Sequence, residues 1–268
     1  MVVRAVLFDL GGTLIFQARE PDRSVIYGRM AEHVAPLLHS WGAERVDAVA
    51  LLHDLYGAVD VAQPARRAQG YEVDGPFIAQ GALAEHGVAA SPEQSAALWR
   101  ASALDFGVWG WQLYPDTLDT LRHVRALSLP TGIVSNSWST SEVARGQVTP
   151  LGIPDELLGV YVSSADLMRP KPHPAPFQRA LELLGVDPSG TVFVGDDLDA
   201  DVRGAKALGM TTVWKLNGRH ELPPAPEADH TIHDLWELFT LGLLPPQPSA
   251  PPPQQSLTPH EDGNAGRY

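Results

Sequence analysis

The sequence predicts an α/β protein: a parallel sheet with helices on both faces, interrupted by an inserted α-helical unit. Three observations predict it. Short apolar runs alternate with amphipathic segments of helical periodicity, most clearly after Tyr114. The stretch 17–112 has helical periodicity and no comparable β-rich run. Polar residues stand at the carboxyl ends of several apolar runs, where open parallel sheets bind their ligands.

Taken in order, the first run, 2–7, leads into "VLFDLGGTL" (6–14), with Asp9 at the tip of the apolar stretch and Gly11 and Gly12 allowing a tight turn. The insert then offers helical periods at 30–39, 47–55 and 94–103. Its edges, 15–19 and 107–115, are expected to be hinges, the second carrying Gly and Pro. Beyond Tyr114, strands are expected at 131–134, 159–162, 191–194, 210–214 and 230–232. Between them lie helices at 117–127, 176–184 and 200–208. Gly185 and Gly209 suit helix C-caps, and Asp199 suits an N-cap. The expected organisation is therefore an α/β core over 1–16 and 113–244, a helical insert over 17–112, and a tail over 245–268. The tail holds seven of the 24 prolines and almost no large apolar residue, so it is expected to be disordered.

Composition bounds the function. With 44% hydrophobic and 19% charged residues, the 268-residue chain has the balance of an ordinary globular protein. A formal net charge of −13 argues against nucleic-acid or anionic-membrane partners, which need a basic face. No cysteine is present, which removes thiolate nucleophiles, disulfides and Cys-based zinc sites and suits a cytoplasmic setting. Arg4 and Asp9 interrupt the N-terminal apolar stretch, so no secretory pattern is read there. No apolar segment is long enough to span a bilayer. A monomer or homodimer is expected.

Four polar groups distant in sequence converge on one sheet edge. They are Asp9; Ser135 and Asn136; Lys171 in "MRPKPHPAPF"; and the acidic run that begins at Asp196. A hydroxyl, a backbone amide and a lysine can hold phosphoryl oxygens. A carboxylate can attack phosphorus. Asp196 and Asp201, with Asp9 and the backbone carbonyl of Gly11, are hard oxygen ligands suited to Mg²⁺. Each motif alone has a bland reading. Ser135-Asn136 is an ordinary turn or cap, Asp197 and Asp199 are a solvated turn and a cap, and Arg66-Arg67 is a solvated helix face or a clamp on a substrate anion. Trp99, Trp109 and Trp111 read as packing residues of the insert or hinge rather than a ligand box.

The set resembles the haloacid dehalogenase superfamily of hydrolases. "FDLGGTL", "GIVSNS", "RPKP" and "VGDDLDADVRGA" look like its four motifs, in its order, over about 3–15 and 114–238. The resemblance implies a Rossmann-like core with a helical cap, and Asp9 as nucleophile. It implies Ser135 and Asn136 on phosphate, Lys171 as a catalytic and phosphate-binding residue, and Asp9, Gly11, Asp196 and Asp201 around Mg²⁺. The implied substrate is a small phosphorylated metabolite.

Gly11 departs from the pattern, because family phosphatases usually carry an acid–base aspartate there. The readings left open are a phosphatase for good leaving groups, a metal-independent dehalogenase, and a binding or regulatory protein with little turnover. A carbon–phosphorus hydrolase needs a cap lysine, and 17–112 contains none. A receiver domain would carry its metal-binding acids near the N-terminus. Neither G-x-x-x-x-G-K-[ST] nor G-x-G-x-x-G occurs, so the nucleotide-triphosphatase and dinucleotide readings lack support.

Overall fold

The computed structural model describes residues 2–217 and 227–245. β1 (Ala5–Phe8) is an apolar run with every residue buried, as a central parallel strand requires. β2 (Ile15–Gln17) follows the turn. Four helices come next: α1 (Arg23–Ser40), α2 (Ala48–Ala68), α3 (Gly75–Glu85) and α4 (Pro92–Ala101). β3 (Trp111–Leu113) leads back to α5 (Thr117–Ala126) and β4 (Thr131–Ser135). Next are α6 (Ser141–Val148), α7 (Asp155–Leu158), β5 (Val160–Ser163), α8 (Ser164–Leu167) and α9 (Pro174–Leu184). The chain continues through β6 (Thr191–Gly195), a π-helical turn (Leu198–Arg203), α10 (Gly204–Ala207), β7 (Thr211–Lys215), β8 (His230–Ile232) and α11 (Glu237–Thr240).

Six strands form one parallel sheet in the order β5-β4-β1-β6-β7-β8. β1 lies between β4 and β6, with Phe8 beside Ile133 on one flank and Val194 on the other. Asp9, Ser135 and Gly195 therefore leave the sheet at the same edge. Alternate side chains along β1 serve opposite faces. Val6 and Phe8 join one apolar cluster with Ile133 and Val192, while Leu7 joins another with Phe177 and Phe193. The helices α1–α4 pack around a further cluster that includes Met30, Leu52, Tyr56, Leu83 and Leu98.

Local chemistry starts these helices. Asp22 and Asp47 accept hydrogen bonds from the first free N–H groups of α1 and α2, and Ser91 with Gln94 makes a capping box on α4. Gly185 closes α9 in the left-handed conformation, as its position suggests.

The structure differs from the sequence reading in several places. The edges expected as hinges pair with each other, β2 antiparallel to β3 with Phe16 opposite Gln112. Strands of three residues are too short to show a period. α3 has no counterpart in the sequence reading, because Gly75, Pro76 and Gly81 mask its helical pattern. α2 continues through Pro64 to Ala68. The cap of the segment after β6 is Asp197, not Asp199; Asp197 accepts from the N–H groups of Asp199 and Ala200, while Asp199 pairs with Arg203. Beyond Pro245 the expected disordered tail lies outside the described residues.

Candidate active site

Asp9 sits one residue past β1, and its backbone N–H donates to Val194 O at 2.8 Å, which fixes it against β6. Its side chain is buried, with the residue 6% exposed. Lys171 lies in the connection between α8 and α9 and reaches the same point. Its Nζ donates to Asp9 Oδ1 at 2.7 Å and to Asp201 Oδ1 at 2.6 Å. Asp201 comes from the π-helical turn, and its Oδ2 accepts the backbone N–H groups of Asp196 and Asp197, each at 3.1 Å. Carboxylate oxygens of Asp9, Asp196 and Asp201 come within 4.8 Å of one another. Three hard oxygen donors at that spacing fit a Mg²⁺-type cation.

The electrostatics follow from burial. Desolvation raises the Asp9 carboxyl above its usual range, opposed by Lys171 and reinforced by Asp196. Desolvation likewise pushes Asp201 up to about 7, with Lys171 again the chief opposing charge. Burial alone would lower Lys171, but Asp201 and Asp9 outweigh it and hold the ammonium charged. Three carboxylates against one ammonium leave the cluster with excess negative charge, which a divalent cation would relieve.

The glycines fit this arrangement. Gly12 has φ +81°, and a Cβ built there would fall 2.5 Å from the Asp196 carboxylate. Gly11 has no left-handed φ, and a Cβ there would make ordinary contact with the Trp111 ring at 3.6 Å.

The remaining expected residues are arranged differently from one another. Ser135 ends β4, buried, on the strand beside β1. The side-chain amide of Asn136 is used by Lys171. Its Nδ2 donates to Lys171 O at 3.1 Å, and its Oδ1 accepts the Lys171 N–H at 2.7 Å. This double clamp holds the backbone of Lys171. Arg67, at the end of α2, is paired with the buried Glu72 at 3.1 Å, and Arg66 lies over the Tyr71 ring. Trp99 and Trp109 pack in the helical cluster, and Trp111 packs on the sheet.

A second lysine escaped the sequence reading. Lys215 ends β7 at 1% exposure, donates to Asn217 Oδ1 at 2.6 Å, and lies over the Tyr114 ring. Asn217 in turn donates to Asp196 Oδ2 at 3.1 Å. Desolvation lowers Lys215 to about 8 despite Asp116, Asp196 and Asp234. The signal was present in the sequence: Lys215 closes an apolar strand at the same sheet edge as Asp9.

Comparison with known proteins adds the following. A family model described as haloacid dehalogenase-like hydrolase matches residues 3–209. The chain is 32% identical to glyceraldehyde 3-phosphate phosphatase of Methanocaldococcus jannaschii over 129 residues, 48% of this chain and 55% of that protein. It thus spans about half the length of the first such relatives, at 55%, 50% and 52%. Phosphoserine phosphatase of Thermus thermophilus is 30% identical over 249 residues, 91% of this chain and 93% of the relative. Among solved structures, a 2-haloacid dehalogenase from Pseudomonas syringae pv. Tomato matches with TM-score 0.55 and 25% identity, covering 90% of this chain and 98% of that one.

Proposed function

Because the chain belongs to the haloacid dehalogenase-like hydrolase family, we propose that it is a Mg²⁺-dependent phosphohydrolase of a small phosphorylated metabolite, working through an aspartyl phosphate on Asp9. The observation that carries this reading is the gathering of Asp9, Asp196 and Asp201 about Lys171 at the sheet edge. The relatives named for glyceraldehyde 3-phosphate and phosphoserine support a small phosphorylated substrate.

In this reading an Asp9 oxygen attacks phosphorus, the bond from phosphorus to the leaving oxygen breaks, and water then cleaves the aspartyl phosphate to phosphate and free Asp9. Lys171 favours the ionised form of Asp9 against burial, which favours the protonated one. An ammonium has three N–H donors, and two serve Asp9 and Asp201, so the third is available to a phosphoryl oxygen. Ser135 Oγ and the Asn136 backbone N–H supply further donors from the adjoining strand end. Asp9, Asp196, Asp201 and the Gly11 carbonyl would hold Mg²⁺, which would offset the repulsion between an anionic nucleophile and a phosphate dianion. Gly11 carries no acid, so the leaving oxygen departs largely as the anion.

A phosphate-release panel with and without Mg²⁺, with Asp9→Asn as the blank, tests the reading. Loss of turnover in EDTA and in Asp9→Asn is the expected result. Full phosphate release in EDTA would overturn the metal requirement. Release of halide from a 2-haloacid in place of phosphate would favour the metal-independent dehalogenase reading, which the Pseudomonas structure and the missing acid at Gly11 keep in view. A chain that turns over neither ester nor halide would be the binding or regulatory protein.

A further inference from the structure

The loop that follows β4 is grasped by the helical cap from two sides. Glu72, in the connection between α2 and α3, is 0% exposed. Its Oε2 accepts from Ser164 Oγ at 2.7 Å and from Arg67 Nη2 at 3.1 Å, and its Oε1 accepts the Val73 N–H at 3.2 Å. Ser164 belongs to the sheet domain, at the start of α8, and its Oγ accepts the Ser137 N–H at 2.9 Å. A chain of hydrogen bonds therefore runs from a cap carboxylate through one hydroxyl to the backbone two residues beyond Ser135.

The hydroxyl of Ser164 has one proton and two acceptors within reach. Ser137 O lies at 3.1 Å, and the Glu72 carboxylate is nearer and charged. The charge-assisted bond is the stronger, so the Ser164 hydroxyl donates to Glu72; the Ser163 hydroxyl, 3.4 Å from Ser137 O, donates to the nearer Ser139 O at 2.6 Å. Withdrawing Glu72 would leave the hydroxyl that holds the Ser137 N–H free to reorient and would cut this tie between the loop and the cap. The second grip is apolar. Trp138, the next residue in the loop, packs against the cap's own cluster, edge-on to Tyr56 with ring centroids 6.2 Å apart. Arg169 adds a tie at the same seam, donating to Gly70 O at 3.1 Å and lying over the Tyr71 ring.

We propose that Glu72 and Trp138 are positioning residues that make the loop after Ser135 part of the cap, so that cap docking and ordering of this phosphate-side loop are one event. The cap then completes the anion site through the loop, in addition to excluding water. Only the kinetic readout below rests on the phosphatase reading; the exchange readout does not.

The test uses the full chain with Glu72→Ala, Glu72→Gln and Trp138→Phe. Amide hydrogen exchange is followed for segments 69–74 and 136–140, with β1 and β6 as internal references, alongside kcat and KM for an aryl phosphate. Glu72→Ala is expected to speed exchange in both segments together by about tenfold or more, the scale of one lost charge-assisted hydrogen bond. The β1 and β6 amides should stay unchanged, and KM should rise more than kcat falls. Glu72→Gln keeps an acceptor for Ser164 and should recover most of both effects. Should Glu72→Ala not fold, Trp138→Phe, which removes indole contact with the cap cluster and leaves the Ser164 hydrogen bonds in place, carries the same expectation in direction. Loosening of 69–74 with 136–140 unmoved would overturn the proposal, as would equal losses in the Ala and Gln variants. If the wild-type chain hydrolyses no phosphate, the phosphatase reading fails and the exchange result alone decides this one.

Discussion

Replacing Gly11 by Asp tests whether the missing acid sets the chemistry. The backbone tolerates the change, since Gly11 is outside the left-handed region and its Cβ would meet only the Trp111 ring, 3.6 Å from Cη2 and 3.7 Å from Cζ3. Trp111 belongs to β3, the strand by which the chain returns from the cap, so an added carboxyl would lie between Asp9's loop and that strand. General acid catalysis is typically worth ~10²–10⁴ in rate. At ~1.4 kcal/mol per decade, that is a barrier change of about 3–5 kcal/mol. The indole restricts the new side chain's rotamers, so a gain near the lower end is expected. The assay is kcat/KM across phosphate esters whose leaving groups span aryl to alkyl pKa values. Wild type should fall steeply as leaving-group pKa rises, and Gly11→Asp should flatten that slope by selectively raising the alkyl rates. Equal wild-type rates on aryl and alkyl esters, with chemistry rate-limiting, would refute the reasoning and show that another residue supplies the proton.

The neighbouring glycine gives the opposite outcome. Gly12→Ala puts a Cβ 2.5 Å from the Asp196 carboxylate at φ +81°, so Mg²⁺ affinity should weaken about 10–100-fold, read by calorimetry. Saturating Mg²⁺ should raise the melting temperature of the wild type by mass action, about 3 kcal/mol of stabilisation at 100 times Kd, and Asp196→Ala should lose most of that shift. An unchanged melting temperature in wild type would count against a metal site. Lys215→Met removes a buried ammonium whose pKa falls from 10.5 to about 8, a cost of up to about 3 kcal/mol at pH 7. The native state holds fewer protons than the unfolded chain between these values. Wild-type stability should therefore rise with pH from about 8 to 10.5, closing its deficit to the Met variant. Urea melts across that range check the sign. A Met variant less stable than wild type at pH 7 would show that contact with Tyr114 and Asn217 outweighs desolvation.

Much of this was legible in the sequence because parallel-sheet chemistry is positional. Buried strands read as apolar runs, and whatever polar residue ends each run must arrive at one edge; that is how Asp9, Ser135 and the run from Asp196 could be grouped without coordinates. Lys171 needed more, because it lies on a loop. Its rarity and its flanking prolines gave it away. What stayed hidden depends on contacts between distant loops. Nothing in "GYEVDG" distinguishes Glu72 from the other glutamates, and its burial is set by Ser164 and Arg67, which approach from a different part of the chain and from the preceding helix. The β2–β3 ribbon was missed for a related reason, since three-residue strands declare themselves only through their partner.

Lys171 and Lys215 flank the acidic cluster but cannot exchange roles. Lys171 touches two of the three acids directly, so its charge opposes the rise that burial gives the Asp9 and Asp201 carboxyls. Lys215 is coupled to the third by charge and through the Asn217 amide, which fixes one oxygen of Asp196. The first arrangement tunes charge, and the second tunes aim. Neither removes the excess of negative charge among the three carboxylates, and a lysine added there would compete with the cation for the same oxygens. A cluster built this way fits a divalent ion, and a buried set of like charges is accounted for by such a ligand more readily than by any stability it confers.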